Sequence, residues 1–392
     1  MNPEITYFAK TNFRDQRDLF GIKQPDRAYH TYIIGKTGAG KTNLLKTKIL
    51  QDIHFNRGFC LFDIHGDLIE EIQHRLPQGR KGDVVFLNVP DQNLSIGYNP
   101  LKRVSYEKRS LVASSILETF ERLSSSKSWG AKLSHILRFI LLTLLDQKNA
   151  NFSDILRIIR DKEYRKECIK HIVNEDVKEF WTKEFYQYTK FDLVPIYNKI
   201  GGFLAHPAIR RLLVENKDSL SLRKIMDGKK ILLINLSKGA IGSDSAYLLG
   251  SLMLSSITSA SFSRIDTSEN ERVPFHIYLD EFQNYVNPSL VNMLSELRKF
   301  KVTLTLAHQY LDQLDIDIKN AVLGNVGTLI SFRLGARDAQ YMMKELFKEY
   351  QPIYSIGDYV NLPNYEIYLK LMIDGKPSKP FSATTICYED YF

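Results

Sequence analysis

The segment "YIIGKTGAGKTNLL", residues 32–45, constrains the fold more than any other stretch of the chain. Apolar residues run up to Gly35, glycines recur at Gly38 and Gly40, and Lys41 and Thr42 open a run with helical periodicity. The spacing is G-x-x-x-x-G-K-[ST], in which successive backbone N–H groups turn inward around a phosphate. Such a loop works when a strand delivers the chain into it and a helix N-terminus leaves it, because the unpaired amides of the first helical turn complete the anion cradle. Both flanks read that way here. The other reading, a glycine-rich turn with an incidental lysine, lacks a reason for this context.

The surrounding pattern sets the fold class. From 31 to 89 strands and helices alternate: "YIIG", a helix from about Gly40, "FCLFDI", "GDLIEEIQHRL" and "DVVFLNV". That alternation predicts a parallel sheet with crossover helices. From about 101 to 224 no convincing strand appears, and segments such as "YEKRSLVASSILETFERL" and "AKLSHILRFILLTLLDQ" predict an all-helical insertion. At "KKILLINL" the alternation resumes, with a helix near 245–264, strand "FHIYLD", helix "PSLVNMLSELRKF" and strands "VTLTLAH" and "GTLISFRL". The tail predicts a β-hairpin turning at Asp374-Gly375. The expectation is an α/β chain with a parallel-rich sheet: core residues 1–102, an all-α insertion at 103–225, and the rest of the core at 226–392.

With 392 residues and 44% apolar content, the chain can build two to three cores. Cys60, Cys168 and Cys387 are far apart and form no CxxC or His/Cys cluster, which argues against a disulfide framework or structural zinc and for a reducing compartment. The first twenty residues carry charges throughout and have no signal-peptide core. "ILRFILLTLL" is short and contains Arg138, and 246–263 is rich in serine and glycine, so both read as buried helices rather than membrane spans. A cytoplasmic protein is expected. The net charge is +8, and residues 103–225 hold 23 Lys/Arg against 15 Asp/Glu, leaving 30 of each elsewhere. A basic insertion on a neutral core suggests nucleic acid as partner; a solvated, lysine-biased helical surface is the alternative.

The loop assigns Gly35, Lys36, Thr37, Gly38, Ala39, Gly40, Lys41, Thr42 and Asn43 to nucleotide binding, with Lys41 on the β/γ oxygens and the Thr42 hydroxyl on Mg²⁺. A dinucleotide fingerprint fails, because its third glycine falls on Asn43. Asp63, His65 and Asp67 in "FDIHGD" read as turn and cap residues, since nothing elsewhere completes a metal-ligand set. The strand "FHIYLD" ends in Asp280, which would hold Mg²⁺ through its water shell, and Glu281 would polarise the attacking water. Gln309 ends the strand "VTLTLAHQ", where an amide senses the γ-phosphate. Arg298, 18 residues after Asp280, is placed to reach a neighbouring subunit's nucleotide as an arginine finger; otherwise it is a surface arginine near a helix C-terminus, with Arg333 and Arg337 as weaker rivals. Lys238 in "NLSKGAIGSD" is a candidate pore contact, with a β-to-helix turn as the plainer reading.

Taken with "GYNPL", "ILLINLSKGAIGSDSAYLLGSLML", "YLDEFQNYV", "LTLAHQYLDQL", "GNVGTLISFRLGARDA" and "LPNYEIYLKLMIDGKPSKPFSATT", the loop makes most of the core resemble the TraD/TraG-like conjugative coupling proteins and their HerA/FtsK relatives. The resemblance implies a RecA-like core, a six-membered ring with nucleotide between subunits, and ATP-driven movement of DNA. It implies an all-helical domain where the 101–224 insertion lies, and it carries nucleotide-site roles onto Lys41, Thr42, Asp280, Glu281, Arg298 and Gln309. Membrane-bound coupling proteins begin with transmembrane helices and HerA proteins with a small β-barrel; neither pattern precedes Ile33. The expected partners are DNA of either strand form without sequence preference, further copies of the chain, and secretion, nuclease or relaxase-type proteins. A type IV secretion-like ATPase acting on protein and a nucleotide-gated assembly scaffold stay open beside the DNA motor.

Overall fold

The computed structural model describes residues 2–14, 16–123, 129–217, 220–286, 289–347 and 355–391. The chain forms two compact units. The first comprises Met1–Phe86, Arg223–Asn235 and Ser261–Phe392, and the second Leu87–Leu222 and Leu236–Ala260. The helical unit therefore starts before position 103 and takes in the Ser243–Phe262 helix up to Ala260, a helix which the sequence pattern assigns to the resumed core.

Thirteen strands occur among the described residues: β1 (Ile5–Thr11), β2 (Leu19–Lys23), β3 (Thr31–Ile34), β4 (Gly58–Asp63), β5 (Val84–Asn88), β6 (Ile231–Asn235), β7 (Phe275–Leu279), β8 (Val302–His308), β9 (Thr328–Ser331), β10 (Glu366–Lys370), β11 (Met372–Ile373), β12 (Lys376–Pro377) and β13 (Phe381–Thr385). Eleven make one sheet in the order β2-β1-β13-β10-β9-β3-β8-β7-β4-β6-β5. Every pairing from β9 through β3, β8, β7 and β4 to β6 is parallel. Strands β3, β4, β7, β8 and β9 are buried along their whole length; β4 reads as a near-continuous apolar run, whereas β8, "VTLTLAH", alternates with threonines that are buried all the same.

Beyond β9 the sheet turns antiparallel through β10, β13, β1 and β2. The expected hairpin is present: β10 pairs with β13, and the β11–β12 ladder turns at Asp374 and Gly375, with φ of 50° and 76°. The buried Asp26 carboxylate accepts both turn amides, at 2.9 and 2.8 Å. Strands β1 and β2 have no counterpart in the sequence reading. "ITYFAKT" is a short strand of mixed burial in a charged stretch, held between the edge strand β2 and β13, and β13 lies at the other end of the chain.

One face of the sheet packs Ile33, Phe59, Leu233, Tyr278, Ile330 and Ile367 against Leu44, Ile49 and Ile53 of the Lys41–His54 helix and Leu68 and Ile72 of the Asp67–His74 helix. Within that layer Asp52 binds Arg27 through two bonds of 2.7 and 2.8 Å, accepts the Tyr278 hydroxyl at 2.6 Å, and accepts Arg57 at 2.9 Å. The two arginines hold its carboxyl far below the usual range against the cost of burial.

The second unit has no strand among its described residues from 89 to 222. Helices Tyr106–Leu123 and Ala131–Asp146 are joined by the buried Arg109–Asp146 pair, and Trp181 donates to the Thr143 hydroxyl at 2.7 Å. Many acids pair with bases along their own helices, as in Glu163–Lys166, Glu167–Lys170 and Glu179–Lys183. The surplus charge is carried by exposed lysines such as Lys148, Lys162 and Lys190. Lys238 opens the four-residue helix Lys238–Ile241 directly after Ser237. No helix among the described residues is long and apolar enough to cross a membrane.

Candidate functional site

The residues singled out from the sequence gather at the C-terminal ends of neighbouring parallel strands, apart from Arg298. The loop 35–40 follows β3, Gln309 follows β8, Asp280 and Glu281 follow β7, and Asp63 ends β4. Since β8 lies between β3 and β7, Gln309 stands between the loop and the acidic pair.

Close packing explains the glycines. A Cβ on Gly35 would come within 2.5 Å of the Phe332 Cβ, and one on Gly40 within 3.0 Å of both the Phe332 and Tyr365 rings. Gly40 also has a φ of 121°, outside the range that side-chain-bearing residues adopt. It caps the Lys41–His54 helix without a side-chain bond, so the first-turn amides are not answered by a capping side chain. Lys36, Thr37, Gly38 and Thr42 are exposed at the rim, whereas Lys41 is buried. Its ammonium donates to the Gly35 carbonyl at 2.6 Å and to the Lys36 carbonyl at 3.3 Å. Burial lowers its pKa, while Glu281 and Asp280 oppose that shift. The Asn43 amide is committed elsewhere, donating to the Ile386 carbonyl at 3.1 Å and accepting the Cys387 thiol at 3.5 Å. What Asn43 offers the loop is its backbone.

Glu281 adopts a left-handed conformation, φ 49° and ψ 52°, which turns it out of the strand direction. Its Oε1 accepts Gln309 Nε2 at 2.9 Å and its Oε2 accepts Gln283 Nε2 at 2.8 Å. Asp280 beside it is pushed up to about 7, first by burial and then by the charges of Glu281 and Asp63, with Lys41 opposing. This is an acidic cluster short of positive charge. Asp63 fills the turn and cap role: Oδ1 accepts the amides of His65 and Gly66 at 2.8 and 2.9 Å, and Oδ2 that of Ile69 at 3.1 Å. No group of three or more potential metal ligands of the His/Cys/Asp/Glu type occurs among the described residues.

Behind the loop His308 is kept neutral, pushed down to about 3 by burial and by Lys41, with its Nε2 2.5 Å from the Tyr32 hydroxyl. The His308 carbonyl accepts the Gly35 amide at 3.3 Å and the Arg333 carbonyl accepts that of Lys36 at 2.9 Å, so neighbouring strands fix the loop's entry. Arg333 itself reaches the Leu362 carbonyl at 3.5 Å, and Arg337 pairs with Asp312 on the surface at 2.6 Å.

Arg298 is not part of this group. It precedes β8, so the seven residues of that strand, roughly 23 Å at 3.3 Å each, separate it from Gln309. It lies over the Tyr29 ring at 3.7 Å and donates to the Tyr29 hydroxyl at 2.7 Å. The sequence reading passed over Gln283, Phe332 and Tyr365. The "DEFQ" spacing carried a signal for the first; the other two act through contacts with residues over 290 positions away.

Residues 21–351 match the family model described as the type IV secretion-system coupling protein DNA-binding domain. The chain belongs to this family. Solved structures of coupling proteins share its fold. The unbound form of the bacterial conjugative coupling protein TrwBdeltaN70 superposes with a TM-score of 0.69 at 13% identity, covering 94% of this chain and 87% of that one. TrwB in complex with ADP and Mg²⁺ gives 0.69 at 14% identity over the same shares. VirB4 of Thermoanaerobacter pseudethanolicus gives 0.64 at 15% identity, covering 99% of this chain and 97% of that one. At these identities the likeness is one of fold, the RecA-like P-loop NTPase fold expected for a coupling-protein chain. No curated protein sequence matches it.

Proposed function

We propose that this coupling-protein family member is a Mg²⁺- and ATP-dependent motor that moves DNA through a ring of its own copies. The observation that carries the reading is the Glu281–Gln309 bond, formed beside the Lys41 loop and the Asp280 strand end. A carboxylate that activates water and an amide that senses the γ-phosphate need to be coupled, and these two are joined directly.

In this reading the loop amides beyond Lys36 and the Lys41 ammonium hold the triphosphate, since the Gly35 and Lys36 amides are spent on neighbouring strands. Lys41 exchanges its bonds to the Gly35 and Lys36 carbonyls for phosphate oxygens. The Thr42 hydroxyl and Asp280 would hold Mg²⁺, which would supply charge neutralisation on the phosphates. Glu281, held by Gln309 and Gln283, orients and deprotonates the attacking water. Arg298, remote from its own loop, completes a neighbouring subunit's site. TrwB structures with ADP and Mg²⁺ and with a non-hydrolysable ATP analogue support nucleotide and metal for this fold. The basic surplus of 103–225 supports phosphate-directed, sequence-independent DNA contact.

The fold likeness to VirB4 keeps a protein-moving ATPase as the competing reading. Steady-state ATP hydrolysis with and without single- and double-stranded DNA, at low and moderate salt and with Lys41→Ala as blank, separates them. Strong, salt-sensitive stimulation is expected. Hydrolysis indifferent to DNA would favour the protein motor, and its absence would favour an assembly scaffold.

A further inference from the structure

Tyr365 precedes β10, two strands from β3 on the side opposite β8 and β7. Its φ is 69°, a left-handed value that is costly for an aromatic residue. Three hydrogen bonds hold it there. Its N–H donates to the Ala39 carbonyl at 2.9 Å, and its own carbonyl accepts the N–H and the hydroxyl of Thr385 at 2.8 and 3.0 Å. The backbone thus braces the loop 35–40, a task that glycine or asparagine would perform with less strain. The ring does something else. It lies against the Gly40 backbone, its Cδ1 only 3.0 Å from where a Cβ of Gly40 would be, and the residue is 47% exposed.

Resting on the nucleotide-site reading above, we propose that the Tyr365 ring is the platform on which the base of the bound nucleotide stacks. The sheet order carries the argument. The groups suited to the γ-phosphate, Gln309, Glu281 and Asp280, all lie on the β8–β7 side of the loop. With Lys41 on the β/γ oxygens, the α-phosphate end and the base leave toward the opposite side, where β9 and β10 border the loop. Among the described residues, Tyr365 is a half-exposed aromatic residue whose ring touches the loop on that side. The recognised group is a planar nucleobase, held through its face, without hydrogen bonds that would separate adenine from guanine.

The test compares ATP with inorganic tripolyphosphate, each with Mg²⁺, by titration calorimetry on the full chain. Tyr365→Gly keeps the backbone conformation and removes the ring; Tyr365→Asn is a second variant that tolerates the same φ, and Tyr365→Trp keeps a stacking surface. Glycine and asparagine variants are expected to bind ATP about tenfold more weakly while binding tripolyphosphate unchanged, and the tryptophan variant to bind ATP like the wild type. Equal weakening toward both ligands, or no weakening toward ATP, would overturn the proposal, since the residue would then only shape the loop. Wild-type protein that binds tripolyphosphate as tightly as ATP would overturn it while leaving the phosphate site standing. Wild-type protein that binds neither ligand would remove the nucleotide-site reading and this proposal with it.

Discussion

Gln309 donates to Glu281 at 2.9 Å across 28 residues of chain, from the end of β8 to the end of its neighbour β7. The bond, together with the left-handed backbone of Glu281, fixes a carboxylate at the mouth of the loop with both oxygens engaged. Release of one of these bonds when a γ-phosphate arrives would free an oxygen to take a water proton.

Glu281→Gln keeps the shape and one of the two acceptor contacts, the other requiring its partner amide to turn over, and removes the base. It is expected to bind ATP with near wild-type affinity and to lose at least about a hundredfold in kcat. Nucleotide titration beside a phosphate-release assay checks both halves. An unchanged rate would reassign the water-activating group.

Arg298→Ala is expected to abolish hydrolysis while leaving nucleotide binding largely intact, because Arg298 is a strand length away from its own site. Mixing Arg298→Ala protein with Lys41→Ala protein should recover some activity at interfaces that combine an intact loop with an intact arginine. Mixtures no more active than either variant alone would leave Arg298 as the stacking partner of Tyr29.

The Asp52 centre is structural, and its loss should appear in stability rather than in turnover chemistry. Asp52→Asn leaves Arg27 buried without its counter-charge, and the expected cost is about 3–5 kcal/mol. Urea denaturation of the two proteins measures it, and a change below about 1 kcal/mol would contradict the assignment.

Lys48 supplies a pH signature. It is 1% exposed, bonded to the Thr31 hydroxyl at 3.3 Å, and burial together with the Arg27 charge pushes its pKa down to about 7. Between that value and the usual 10.5 the unfolded chain binds more protons at this residue than the folded one, so its contribution makes stability rise with pH. Lys48→Met is therefore expected to melt higher than wild type near pH 7, with the gap closing toward pH 10. Thermal melts across that range test the sign, and a gap that widens with pH would refute it.

The parallel half of the core was legible because burial on both faces writes strands as largely apolar runs, and crossover helices write the 3.6-residue period between them. The loop 35–42 and the Asp280–Glu281 pair were legible for a similar reason: their chemistry is carried by residues adjacent in the chain. The antiparallel extension was legible at Asp374-Gly375, where the turn demands particular residues, and not at β1, an internal strand of mixed burial whose partner β13 lies more than 370 residues away.

By itself, then, the sequence determined the local devices: where strands break into a phosphate-type loop, where an acidic pair ends a strand, and which third of the chain is helical and basic. The tertiary structure alone decided what these devices meet. It set Gln309 against Glu281, committed the Asn43 side chain to Ile386 and Cys387, put Arg298 at the far end of β8, and laid Tyr365 on Gly40. Such contacts depend on strand order and register, which arise from the packing of the whole sheet, and no short window of sequence encodes them.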